Sequence, residues 1–269
     1  MVVSTAVRRI GAGVVALFLV AGAGVVVLSM RHHADPPPSC AVTSGTTTYQ
    51  LDMDQAANST TIAAVGKRLG LPDHAVTVAL AAALQESRLK NLPYGDRDSL
   101  GLFQQRPSMG WGTATEILTP SYAAAAFFRE LTRVPNWQAL AITDAAQRVQ
   151  RSGLPTAYAQ WEPEARTLAI ALTGESEAGL TCRFSLDRSR DPAPAVATRL
   201  GNELGVASLD AAFSTTQGWT VASWIVGHAQ QLRVTTVSFR GRQWRASTGR
   251  WKPLKAAENR VRITQQPAD

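Results

Sequence analysis

The sequence predicts a mainly α domain after an N-terminal transmembrane helix, followed by a small α+β module. Three observations carry that fold class. Residues 10–30 form a run of 21 residues without a charge. Residues 40–184 show helical periodicity with caps and no convincing strand run before Cys182. Beyond the stretch LDRSRDPAPA the pattern turns to two further helices and short alternating strands with an Arg-Gly turn.

The apolar run, IGAGVVALFLVAGAGVVVLSM, is long enough at about 1.5 Å per residue to cross a bilayer core of about 30 Å. Arg8 and Arg9 precede it. That order assigns residues 1–9 to the cytoplasm, residues 10–30 to a signal-anchor, and the rest to the outer side of a single-pass cell-membrane protein. The alternative is secretion after signal cleavage, since Ala21-Gly22-Ala23 suits a small-residue site. Residues 31–39, with HHADPPPS, read as a proline-stiffened spacer. The two cysteines, Cys40 and Cys182, are expected to form a disulfide outside the cell, with two buried thiols as the alternative.

Charge is uneven. Residues 40–184 carry 12 Lys/Arg against 13 Asp/Glu, and residues 185–269 carry 12 against 6. Basic character of this kind suits nucleic acid in a cytosolic protein. Outside the membrane the available polyanions are the cell wall and lipid headgroups, so no nucleic-acid partner is expected and a wall-facing surface is the simpler reading.

Helical patterns cover residues 55–69, residues 73–90 with Asp73 as cap, and residues 116–131 broken at Pro120. Two more follow, AAQRVQRS behind Thr143-Asp144 and a last one through residues 157–172 stopped by Gly174. Residues 185–195 read as a linker. Residues 196–269 form the small basic α+β module, with helices over 196–204 and 221–232, a hairpin in VTTVSFRGRQWRAS, and a strand in VRITQ. Arg240, Arg242, Trp244 and Trp251 are its candidate wall-binding residues.

The stretch LQESRLKNLPYGDRDSLGLFQ holds the candidate chemistry. On a helix, Glu86 shares a face with Ala79, Ala82 and Ala83, so its carboxyl would lie against closely packed backbone, an environment that suits a general acid. The alternative is a helix-end glutamate paired with Arg88 or Lys90. Asp96 supplies a second carboxylate, Gln104 and Gln105 supply amides, and Tyr94 and Trp111 supply aromatic faces. A buried acid, a second carboxylate, amides and aromatics together describe a sugar-cleaving cleft.

Glu86-Ser87 followed by Gly101-Leu102-Phe103-Gln104 resembles the ES and GLMQ motifs of lytic transglycosylases and goose-type lysozymes, and Tyr94-Gly95-Asp96-Arg97 looks like the WGDR loop of the latter. Ala157-Tyr158-Ala159 matches the family's AYN motif without its asparagine, and no acid follows the glutamine, where Gln105-Arg106 stands. Over residues 40–182 the chain resembles membrane-anchored, lysozyme-like actinobacterial proteins. The resemblance implies a lysozyme-like fold that cleaves the β-1,4 bond of peptidoglycan glycan strands. Glu86 and Asp96 would be catalytic, and Gln104, Gln105, Tyr94, Trp111 and Tyr158 would bind substrate. It leaves open a lytic transglycosylase or a muramidase, and an inactive wall-binding protein as the alternative. No metal or cofactor is expected: His32 and His33 read as a solvated pair, and His74 and His228 stand alone in the sequence.

Overall fold

The computed structural model describes residues 37–187 and 193–267. The chain enters through β1 (Ser39–Ser44), which turns at Gly45 into β2 (Thr47–Leu51). On its other edge β1 pairs with β3 (Leu180–Arg183), giving an antiparallel sheet of order β2-β1-β3. Cys40 stands opposite Cys182 in that register, and the two are joined by a disulfide that closes 142 residues of chain. In the chain-entropy account such a loop contributes about 5 kcal/mol.

Between β2 and β3 lie six helices: α1 (Met53–Arg68), α2 (Asp73–Ser87), α3 (Ala114–Ile117), α4 (Pro120–Arg133), α5 (Ile142–Gln150) and α6 (Glu162–Leu172). Asp52 starts α1 through a reciprocal capping box with Gln55. Asp73 does not cap α2. It is the first helical residue after Pro72, and its carboxylate reaches Lys67 Nζ at 3.1 Å. Every residue of α2 from Ala75 to Leu84 is buried. A helix apolar on all sides belongs in the centre of a core, and α2 packs there against α1, α4, α5 and α6.

After β3 come α7 (Val196–Leu204), α8 (Thr215–Gly227) and a second antiparallel sheet. Its strands are β4 (Val234–Phe239), β5 (Arg242–Arg245), β6 (Arg250–Pro253) and β7 (Arg262–Gln265), in the order β6-β5-β4-β7. The β4–β5 turn is Arg240-Gly241, both residues at positive φ, as a tight hairpin requires.

The expected mainly α domain with a separate α+β module is corrected by this arrangement: the described residues from 38 onward form one compact mixed α+β unit. The sheet through Cys40 and Cys182 escapes notice because its strands are four to six residues long, and runs that short give a weak period-2 signal. Helix α8 docks directly on α1: a Cβ on Gly227 would stand 2.7 Å from the Thr60 side chain, and one on Gly174 would stand 2.0 Å from Thr216 O. Glu203 on α7 closes the junction. It accepts from Thr61 Oγ1 (2.6 Å), Trp224 Nε1 (2.9 Å) and Arg199 Nε (3.0 Å), beside the fully buried His228. The tryptophans proposed for wall binding are core residues. Trp244 is fully buried and donates to Cys182 O at 3.0 Å, and the half-buried Trp251 donates to Leu180 O at 2.9 Å.

The membrane expectation is corrected as well. Among the described residues no helix is long and apolar enough to cross a membrane. The longest, α1, has 16 residues, about 24 Å against a core of about 30 Å. The expected span at residues 10–30 lies outside the described residues. The single-pass anchor, the membrane as partner and the extracellular placement expected from them therefore find no support among the described residues.

Candidate active site

Glu86 is the penultimate residue of α2. The helix stops after Ser87 because Arg88 and Leu89 both adopt left-handed backbone, at φ 54° and 60°. A non-glycine residue holds that conformation only where its surroundings impose it. Here α1 imposes it: Gln55 Nε2 donates to Arg88 O (2.9 Å) and Asn58 Nδ2 to Leu89 O (2.8 Å). Ser87 then ties the helix end to the following loop through Oγ to Leu102 O at 2.7 Å. In the Glu86-Ser87 pair, the serine positions the loop and the glutamate meets the cleft.

The neighbours of Glu86 are engaged elsewhere. Arg88 stacks over the Trp161 ring at 3.8 Å. Gln85 Oε1 accepts from Trp161 Nε1 (2.8 Å) and Gln160 Nε2 (3.1 Å). Lys90 pairs with Asp52. A helix-end glutamate paired with Arg88 or Lys90 is therefore not what the chain forms. Glu86 takes one partner, the hydroxyl of Tyr158, which donates to Oε1 at 2.7 Å. Tyr158 is fully buried. Burial, with the Glu86 carboxylate beside it, drives the phenol pKa far above its ordinary value, so it remains a donor. Among the described residues no other hydrogen bond reaches the Glu86 carboxylate, and Oε2 is left without one.

Glu86 lines a cleft of about 920 Å³ together with Asp96, Gln104, Gln105 and Trp111. Tyr158 joins that group through its bond to Glu86. Tyr94 is 67% exposed and is not part of the lining. The loop from Gly95 to Gln105 is shaped by close approaches. A Cβ on Gly95 would stand 1.8 Å from Gln104 Oε1, and one on Gly101 would stand 2.7 Å from Ile117 O. Gln104 spends its amide on Tyr94 O (3.3 Å) and Gly101 O (3.2 Å). Gln105 is buried and donates to Ala123 O at 3.2 Å, while its Oε1 has no partner among the described residues.

The two aspartates differ sharply. Asp96 is 94% exposed by side chain, with Arg97 Nε at 3.9 Å as its nearest cation. Asp98 is clamped by Ser108 N (2.8 Å), Arg106 Nε (2.7 Å) and Ser108 Oγ (3.0 Å). The Ser108 N–H foremost, then the Arg106 guanidinium, hold its carboxyl far below the usual carboxylate range. Asp98 thus fixes the loop that carries Asp96 and is not free for proton transfer.

Sequence reasoning misses that clamp and also the arginines on the far side of the cleft, Arg129, Arg133, Arg148 and Arg151. Their signal is present as helical spacing at i,i+4 and i,i+3 in the final turns of two adjacent helical patterns. Among the described residues no group of three or more His, Cys, Asp or Glu side chains is placed to hold a metal. The site is a cleft with one tethered glutamate, one exposed aspartate and a basic wall. In comparisons with known proteins, no family profile matches the chain and no curated protein resembles it in sequence.

Proposed function

We propose that the chain cleaves the β-1,4 bond of peptidoglycan glycan strands with Glu86 as general acid and then base. The observation that supports this most is the Glu86–Tyr158 pair at the cleft. One carboxyl oxygen is held by a buried phenol, which fixes the group's orientation, and the other is left without a hydrogen bond among the described residues. A cleft of about 920 Å³ is at the upper end for a small-ligand site.

In the first step the Glu86 carboxylic acid gives its proton to the bridging glycosidic oxygen as the C1–O bond breaks, leaving an oxocarbenium-like sugar. The Glu86 carboxylate then removes a proton from the incoming nucleophile. If that nucleophile is water the product has a reducing end. If it is the 6-hydroxyl of the same muramyl residue the product is a 1,6-anhydro sugar. Holding water is the task of a second, ordered carboxylate. Asp96 is exposed with one distant cation, and Asp98 is already saturated. Both facts favour the intramolecular attack, which makes the reaction that of a lytic transglycosylase.

The test is digestion of purified peptidoglycan with mass spectrometry of the released fragments. The expected products carry 1,6-anhydro ends, and Glu86→Gln loses activity by about a hundredfold or more. Activity persisting in Glu86→Gln overturns the assignment. Reducing ends alone, lost in Asp96→Asn, would make the enzyme a hydrolase.

A further inference from the structure

The cleft carries more positive charge than acid–base chemistry requires. Five arginines line it, Arg106, Arg129, Arg133, Arg148 and Arg151, against the carboxylates Glu86, Asp96 and Glu130. Arg106 is committed to Asp98. Arg129 and Arg133 share Glu130, at 3.8 and 2.7 Å. Arg148 and Arg151 are exposed and have no ion-pair partner among the described residues.

These two stand at i,i+3 at the end of α5, where like charges repel. A helix C-terminus favours a single cation through its dipole. That accounts for one arginine there, and not for a second beside it together with two more on α4 facing the same cleft. The backbone is specified as well. Arg151 is a non-glycine residue at φ 52°, and that turn is pinned from both sides. Gln147 Nε2 donates to Ser152 O, and Gln150 Nε2 donates to Phe103 O, each at 2.8 Å. The second bond ties the arginine turn to the loop that carries Gln104 and Gln105. Arg151 is therefore held at a set place on the wall of the cleft that Glu86 also lines.

We propose that Arg148 and Arg151 form a carboxylate-binding subsite, so that the cleft selects a glycan carrying acidic substituents over a neutral one. The proposal rests on the reading of this cleft as a glycan site. In peptidoglycan the carboxylate comes from the lactyl group of the muramyl residue or from the stem peptide attached to it. Both present the planar acceptor that guanidinium groups bind in paired fashion. The two arginines act in ground-state binding and in placing the strand, and take no proton.

The experiment measures dissociation constants with Glu86→Gln protein, which separates binding from turnover. Three probes are used: glycan strands with intact stem peptides, strands stripped to the lactyl carboxylate, and a neutral hexamer of N-acetylglucosamine. At least one acidic strand is expected to bind about tenfold or more tightly than the hexamer, one charge-assisted contact being enough for that ratio. The preference should shrink as salt is raised. Whichever strand keeps the preference identifies the carboxylate. Adding Arg148→Gln and Arg151→Gln should abolish the preference and leave hexamer binding unchanged, with partial recovery in the Lys/Lys variant. In otherwise wild-type protein the same pair should raise KM on the acidic strand with kcat unaltered. Equal affinity for neutral and acidic probes overturns the proposal, as does a double variant that loses affinity for both. Failure of the glycosidase reading appears separately, as absence of cleavage by wild-type protein.

Discussion

Glu86 and Glu203 are each the penultimate residue of a helix, where the helix dipole disfavours a negative charge. They are compensated to very different degrees. Glu203 is buried and receives three donors from three different elements. Burial works against its charge, yet His228 and the donors Thr61, Trp224 and Arg199 hold its pKa below the ordinary value. Glu86 receives one donor and is half-buried at a cleft. A saturated carboxylate fastens the C-terminal helices to α1, whereas Glu86 keeps one oxygen without a donor among the described residues. The number of donors, not the residue type or its place on the helix, separates a glutamate that joins elements from one left open to a cleft.

The largest effect that tests this contrast is on folding. Glu203→Leu should lower stability by about 3 kcal/mol, since it leaves the buried Trp224 indole N–H without its acceptor and removes the bonds from Thr61 and Arg199. Glu86→Gln should shift it by no more than about 0.5 kcal/mol. Urea titrations of both variants measure the difference, and equal midpoints would break the comparison. Tyr158→Phe comes next. Loss of the single tether should cost about 1 kcal/mol of stability and reduce the proposed peptidoglycan cleavage about tenfold by letting Glu86 reorient; unchanged turnover would mean that the phenol does not position the carboxyl.

A third outcome concerns acid. His228 is pushed down to about 4, by burial first and then by Arg199. Its folded form is neutral while the unfolded chain takes up a proton near 6.5. Stability from this group is therefore present above about pH 6.5 and is lost as the pH falls toward 4. Thermal melts across that window should show the slope, and His228→Gln should flatten it.

The smallest effect sharpens the contrast with a third glutamate. Glu175 is pushed up to about 7, first by the hydrogen bond it shares with Asp73, then by burial and by the Asp73 charge. A raised carboxyl pKa means that the folded state holds its proton longer, so stability falls as the pH rises from about 4.5 through 7. Glu175 is largely exposed, so Glu175→Gln should add only about a few tenths of a kcal/mol at pH 8. A variant less stable than wild type at that pH would contradict the sign.

Part of this organisation is legible in the sequence for physical reasons that act locally. Asp52-to-Gln55 capping, Pro120 after Thr119 and the Arg240-Gly241 turn are neighbour effects, and the helices and hairpin near them fall close to the expected positions. The alanine face behind Glu86 follows from helical spacing alone, and Ala79, Ala82 and Ala83 are all fully buried. Other features depend on partners far away in the chain. Trp244 and Trp251 sit among arginines in the sequence, and their burial arises from Cys182 O and Leu180 O, more than 60 residues distant.

By itself, then, the sequence determined that helices fill most of the chain between the cysteines, that two cysteines could pair, and that Glu86 lies beside small residues, while several helix starts, such as Thr215 and Glu162, fell away from the expected positions. These rest on backbone sterics and periodicity over a few turns. Only the tertiary structure decided that β1 and β3 bring Cys40 and Cys182 together and that the C-terminal helices belong to the same body. It alone decided that Asp98 and not Asp96 is the clamped aspartate, and that Tyr158 reaches Glu86 across 72 residues. Burial and hydrogen bonding at those places are set by which distant surfaces meet, and no local pattern encodes that meeting.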